Sequence, residues 1–236
     1  MRKVVVVTQM TLDGVMQAPG GPEEDPSGGF EQGGWSVNYW DEVLEQAIGE
    51  GMARPFDLLL GRKTYEIFAA HWPYADGPAA DRLNSATKHV ASRTLERLDW
   101  SNSTLIEGEA ATAVAQLKAE DGPELQVHGS WELIQTLLAH DLIDEFRLWI
   151  FPVVVGPGKR LFGDVTVPAG LTLVASKTST TGVIIATYQP AGQIQKGSFA
   201  FEDPTEQEIE RRARLDTDES ASLRPDASPA SAADDR

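Results

Sequence analysis

Cysteine is absent from the 236 residues, which removes a disulfide framework, a thiolate metal site and a cysteine nucleophile together. It also removes zinc-dependent deaminase chemistry of the H-x-E…P-C-x-x-C type. Positive charge is scarce: 20 Lys and Arg stand against 36 Asp and Glu, for a formal net charge of −16. Such a chain repels nucleic-acid phosphates and anionic lipid, so neither nucleic acid nor a membrane surface is expected as a partner. An anionic ligand can bind only where basic side chains and backbone amides gather locally. Long apolar runs are lacking as well. The opening Met1-Arg2-Lys3 and Val4 to Val7 meet Thr8-Gln9 and then Asp13, too soon for a signal-peptide h-region. No stretch approaches the roughly 18–20 apolar residues of a membrane span. The expectation is a cytoplasmic protein whose first apolar run is a buried strand.

What the chain does contain is a 41% hydrophobic fraction, ordinary for a globular core. Short β-branched runs alternate with helical patterns, which predicts a mainly parallel sheet covered on both faces. Strands are expected at residues 3–8, 56–60, 89–92, 104–106 and 125–128, and a long one at 145–155. Helices are expected at 38–51, 62–70, 110–119 and 131–140. Residues 171–179 and 183–189 flank Thr180-Thr181-Gly182 and read as an antiparallel hairpin at the sheet edge. Residues 18–34 are rich in Gly and Pro and too long for a plain connection; they read equally as a functional lid or a disordered insert. A domain is expected over 1–190, a C-terminal extension over 191–215 with a polar helix capped by Thr205, and a disordered acidic tail over 216–236.

Three junctions follow buried strands. Gly61-Arg62-Lys63-Thr64 opens a helix, whose free N–H groups and positive dipole end suit phosphate, with Arg62, Lys63 and the Thr64 hydroxyl adding donors. Ser92-Arg93-Thr94 offers an arginine fork of the kind that takes the 2′-phosphate of NADP. His128-Gly129-Ser130 again opens a helix. Each taken singly also reads as a plain helix cap or exposed loop; three together in an acidic chain favour a nucleotide. No G-x-G-x-x-G fingerprint, P-loop or G-x-S-x-G elbow is present. The four histidines are scattered, so no metal is expected. Asp13 and Gly14, after the first strand, read either as a ligand-binding carboxylate or as an Asp-Gly turn. Trp35, Tyr39 and Trp40 can wall an aromatic pocket, and core packing explains Trp40 equally well.

In order, Thr11-Leu12-Asp13-Gly14, Leu60-Gly61-Arg62-Lys63-Thr64-Tyr65-Glu66, Ser92-Arg93-Thr94-Leu95 and Gly129-Ser130 resemble the dihydrofolate-reductase-like family. Within it they are most similar to the C-terminal reductase domain of the riboflavin-biosynthesis deaminase–reductase and its stand-alone relatives. The most specific match runs from Leu142-Ile143-Asp144-Glu145 to Gly156-Pro157-Gly158-Lys159-Arg160-Leu161-Phe162. The resemblance implies an α/β three-layer fold with a mainly parallel central sheet and an antiparallel C-terminal edge hairpin. It implies NADPH on Gly61, Arg62, Lys63, Thr64, Ser92, Arg93, Thr94, Gly129 and Ser130. It implies a small pyrimidine- or pterin-type substrate near Thr8, Asp13, Gly14 and Trp40, with Asp13 as the catalytic residue, and a homodimer. The function implied is reduction of that substrate, similar to 5-amino-6-(5-phosphoribosylamino)uracil reductase or dihydrofolate reductase. Two alternatives are a non-catalytic NADPH-binding or regulatory module on the same fold and an interaction protein that recruits through its acidic tail. The chain departs from the family pattern in carrying no deaminase motif and in having Trp131 after Gly129-Ser130, which narrows the expected cofactor cleft. Asp41, Glu42 and Glu45 lie on the first helix, but none falls in a motif of the family's substrate-facing acid.

Overall fold

The computed structural model describes residues 1–163 and 166–222. Residues 1–194 form one compact unit, and a second begins at Gln195. Among the described residues no helix is long and apolar enough to cross a membrane.

An eight-stranded sheet runs in the order β4-β3-β2-β5-β1-β6-β8-β7. Its strands are β1 (Val4–Thr11), β2 (Phe56–Gly61), β3 (Lys88–Ala91), β4 (Ser103–Leu105), β5 (Glu124–His128), β6 (Glu145–Phe151), β7 (Leu171–Thr178) and β8 (Ile184–Pro190). The six strands from β4 to β6 are mutually parallel, and β8 runs against both β6 and β7. The expected parallel body with an antiparallel C-terminal hairpin is therefore what the chain forms. Central strands buried on both faces explain why Val4, Val5, Val6, Leu58, Leu59 and Leu60 are consecutive apolar residues.

One face of the sheet is covered by α4 (Ala110–Ala119) and α5 (Trp131–Ala139), which join Val4, Val6, Leu125, Val127, Phe146 and Leu148 in one core. The other face is covered in two pieces. Helices α2 (Arg62–His71) and α3 (Pro78–Ser85) pack at the β2–β3 end, around Phe56, Leu58, Leu60, Tyr65 and Leu83. Helix α1 (Glu42–Met52) packs at the other end, with Leu44, Ala47 and Ile48 against Trp149, Phe151 and Val183.

Several expected boundaries move for local reasons. The helix expected from residue 38 starts at Glu42, because the extended Asp41 accepts the Leu44 N–H at 2.9 Å and caps it there. The strand expected to reach 155 ends at Phe151, since Pro152 has no N–H for the ladder between β1 and β8. In the second unit, helix α6 (Glu206–Ser222) runs past residue 215, with Glu208 paired to both Arg211 and Arg212. Glu208 N–H donates to the Thr205 hydroxyl at 3.3 Å, as a cap there requires. The remainder of the expected acidic tail, residues 223–236, lies outside the described residues.

Candidate functional site

The carboxyl ends of β2, β3 and β5 share one cleft of about 1410 Å³. That exceeds the roughly 300–1,000 Å³ of a single small-ligand pocket, leaving room for a dinucleotide and a second molecule. Gly61, Arg62, Lys63, Thr64, Ser92, Arg93, Thr94, Gly129 and Ser130 all line it, so the three junctions separated in sequence meet in space. Thr8 and Trp40 line it too.

Two of the junctions are stitched directly. Ser130 Oγ accepts the Gly61 N–H at 2.9 Å, and the Ser130 N–H donates to Thr64 Oγ1 at 2.9 Å. This places the first turns of α2 and α5 side by side, so their free N–H groups open on one space. Gly129 has φ +52°, and a Cβ there would lie 3.4 Å from Thr64 Oγ1. Ser130 keeps the left-handed conformation at φ 57° without that freedom. Arg62 is partly engaged by Glu66 one turn on, at 3.1 Å. The Ser92 hydroxyl accepts the N–H groups of Thr94 and Leu95, fixing a turn that projects Arg93. Arg93 has no ion-pair partner among the described residues. The Trp131 indole lines the cleft and donates its N–H to Arg160 O at 2.8 Å.

Residues 18–34 form an ordered wall, which corrects the disordered-insert alternative. Gln17 Nε2 donates to Asp25 O and Ser27 O, each at 2.9 Å, and Gln17 O accepts the Trp35 indole N–H at 2.8 Å. Lys159 Nζ pairs with Asp25 and donates to Ser27 Oγ. Phe30 and Ala18 are buried with Val15. A side chain at Gly33 would put its Cβ 2.5 Å from Gly21 O, so the loop can close on itself only with glycine there. Pro19, Gly20, Gly21, Glu24 and Asp25 face the cleft. Burial raises the Glu24 pKa above its ordinary value and the Asp25 charge adds to this, outweighing the Gly20 and Gly21 N–H groups that oppose it.

Asp13 and Gly14 are not brought to the cleft. Asp13 Oδ1 accepts the Thr11 hydroxyl at 2.5 Å and the Val155 N–H at 3.3 Å, while Oδ2 accepts the Gly156 N–H at 2.9 Å and lies 3.6 Å from Arg160 Nη2. Burial alone would raise its pKa, but these donors outweigh it and hold the carboxyl low. Asp13 is thus committed to clamping the turn after β6, and the catalytic role expected of it loses its geometric basis. Gly14, at φ +86°, forms the turn that returns the chain from β1.

The sheet floor of the cleft holds polar residues not singled out from sequence: Gln9, Gln126 and Arg147, with His128 beside them. Their signal in the chain is the alternation Glu124-x-Gln126-x-His128 and Glu145-x-Arg147 inside apolar strands.

Comparison with known proteins completes the picture. A family model described as the RibD C-terminal domain matches residues 2–185. The uncharacterized protein YyaP of Bacillus subtilis (strain 168) is 29% identical over 196 residues, 79% of this chain and 94% of that protein. A second uncharacterized protein of that organism, YwjB, is 28% identical over 184 residues, 75% of this chain and 91% of its own length. Among solved structures, a putative riboflavin biosynthesis protein from Shewanella sp. PV-4 aligns at TM-score 0.57 and 23% identity, covering 80% of this chain and 98% of that one. A dihydrofolate reductase from Enterococcus faecalis, complexed with NADP(H) and RAB-propyl, aligns at TM-score 0.51 and 13% identity, covering 80% and 96%. At these identities the structures speak for a shared fold.

Proposed function

The chain belongs to the RibD C-terminal domain family, and from that premise we propose that it is an NADPH-dependent reductase of a small heterocyclic substrate of pyrimidine or pterin type. The observation that carries this is the convergence of Gly61–Thr64, Ser92–Thr94 and Gly129–Ser130 on one cleft of a net-acidic chain. The donor set fits an anionic dinucleotide. The paired helix N-termini suit the pyrophosphate, the close approach allowed at Gly129 admits it, and Arg93 is free to take a 2′-phosphate. NADPH supplies a hydride when bound.

This chain's residues do the rest. Gly61, Arg62, Lys63, Thr64, Gly129 and Ser130 bind and orient the phosphates. The ordered wall from Gln17 to Gly21 excludes water from one side of the cleft. Trp40 and Trp149, with ring centroids 5.7 Å apart, provide an apolar surface beside the polar floor. Glu24 faces the same space with its carboxyl pKa raised by burial, and it is the group best suited to deliver the proton that completes reduction of a C=N or C=O bond.

The test is direct. Purified protein is titrated with NADPH by fluorescence, and loss of absorbance from the reduced cofactor is followed across a panel of pterins and ribosylamino-pyrimidines. Saturable binding and turnover with one class are expected; absence of NADPH binding would sink the reading.

A further inference from the structure

A sheet face covered by helices is ordinarily apolar, yet beneath α1 and α2 the floor carries a connected polar chain. Strand alternation puts Glu124, Gln126 and His128 of β5 on one face with Glu145 and Arg147 of β6. The register sets Val5 between Gln126 and Glu145, and Val7 between His128 and Arg147. Arg147 forks onto Glu124, with Nη1 at 2.6 Å from Oε1 and Nη2 at 2.9 Å from Oε2, while its Nε donates to Glu145 at 2.8 Å. Glu145 also accepts from Gln189 at 3.0 Å and pairs with Lys3 at 3.3 Å. Burial would raise both carboxyl pKa values, but hydrogen bonds from Arg147, with Gln126 on Glu124 and Gln189 on Glu145, outweigh it and keep both ionised.

The donor directions along this chain are forced. Glu124, as a carboxylate, only accepts. Gln126 Nε2, 2.7 Å from Glu124 Oε1, must therefore be the amide's NH2 end, which turns the Gln126 carbonyl toward His128. That carbonyl also only accepts, so His128 Nε2, 2.9 Å away, carries a hydrogen. Burial, with the Arg147 charge adding to it, pushes the His128 pKa down to about 4, so near neutral pH the ring holds only that one proton. Nδ1 is then left with a bare lone pair, and no group of the protein donates to it among the described residues. The flanking rings of Phe56 and Phe68, with centroids at 6.4 and 6.2 Å, hold the imidazole in place. His128 lines the cleft immediately before Gly129 and Ser130. On β1, Gln9 lines it too, and its side-chain carbonyl oxygen is buried without a partner among the described residues.

We propose that His128 Nδ1 is a fixed hydrogen-bond acceptor that reads an N–H donor of the substrate, with Gln126 as the positioning residue that locks its tautomer. This rests on the reductase reading of the cleft and adds to it what the substrate must present: a neutral edge with an unsubstituted ring or exocyclic N–H. An analogue methylated at that nitrogen leaves a desolvated acceptor unpaired and is rejected.

The experiment uses the full chain labelled with 15N-histidine, with the His128 signals assigned through His128→Asn. Long-range proton–nitrogen correlation near neutral pH is expected to show Nε2 of pyrrole type and Nδ1 of pyridine type. In Gln126→Leu, its fold checked by circular dichroism, the two nitrogens should move toward averaged values. An unchanged tautomer there overturns the relay. NADP+ is then added, followed by uracil or 1,3-dimethyluracil as probes. Uracil is expected to shift Nδ1 and to bind about tenfold more tightly than the dimethyl compound, with the difference lost in His128→Asn. Equal binding of the two probes, no binding of either, or an Nδ1 shift produced by NADP+ alone each overturns the substrate-reading role. Binding of NADP+ is measured separately by tryptophan quenching. Its failure would sink the reductase reading while leaving the tautomer measurement to stand or fall by itself.

Discussion

Ser130 Oγ accepts the Gly61 N–H at 2.9 Å, joining the amino ends of two helices across 69 positions of the chain. The bond is half of a reciprocal pair, because the Ser130 N–H returns to Thr64 Oγ1. Ser130→Ala leaves Gly61 N–H without its partner, an expected loss of about 1–2 kcal/mol in stability. NADPH affinity should fall at the same time as the two helix ends part. Ser130→Gly also loses the hydroxyl but relieves the left-handed backbone at φ 57°, so it should unfold at higher denaturant than the alanine variant. Chemical denaturation of both variants, alongside NADPH titration, checks the order.

Arg93 is the basic side chain of the second junction, and its fixed turn aims it at the cleft. A charge-assisted contact to a 2′-phosphate is worth about 1.5–3 kcal/mol. Arg93→Ala should therefore weaken NADPH by roughly tenfold or more and leave NADH unchanged. Equal losses for both cofactors, by isothermal titration, would place the 2′-phosphate elsewhere.

Much of this is legible in the amino-acid sequence alone. The strand–junction–helix units at Gly61 and Gly129 are local, set by an apolar run ending in small residues, and the hairpin around Thr180-Thr181-Gly182 is local too. What a sequence does not supply is partnership. Asp13 reads as a site carboxylate because it follows β1, but whether it faces ligand or protein depends on the Val155 and Gly156 N–H groups, more than 140 positions away. The polar floor is hidden for a related reason. Gln126 and Arg147 stand in strands whose apolar neighbours fix the fold, and only the parallel pairing across β1 brings them together. Loop 18–34 is ambiguous in sequence because its order depends on single anchors, Gln17, Trp35 and Lys159, and not on its own composition.

The reassignment of Asp13 has a measurable consequence. In Asp13→Asn either orientation of the amide sets an NH2 group against an existing donor, so a loss of about 1–3 kcal/mol is expected. NADPH affinity should be retained, since the residue does not line the cleft. The sign with pH follows from the lowered carboxyl pKa. The stabilisation is present above the unfolded value near 3.8 and is lost as pH falls through the lower folded value. Denaturation midpoints measured down the acid limb should thus converge for wild type and variant. A variant of unchanged stability but abolished turnover would restore the catalytic role.

Glu24 gives the opposite sign. Burial first, and then the neighbouring Asp25 charge, raises its pKa above the ordinary 4.5. A carboxyl that donates the proton must be protonated, so kcat should fall as pH rises through that raised value. Glu24→Gln keeps an oxygen to accept the Gly20 N–H, now made at 2.6 Å, and so keeps the wall. It removes the titrating group, so the basic limb of the pH profile should disappear and kcat should drop by about a hundredfold or more. Stability moves the other way. A raised folded pKa contributes stability below the unfolded value that is lost as pH rises through the folded one, so the glutamine variant should be relatively more stable than wild type at neutral pH. A basic limb that survives in Glu24→Gln would assign the proton to another group, water included.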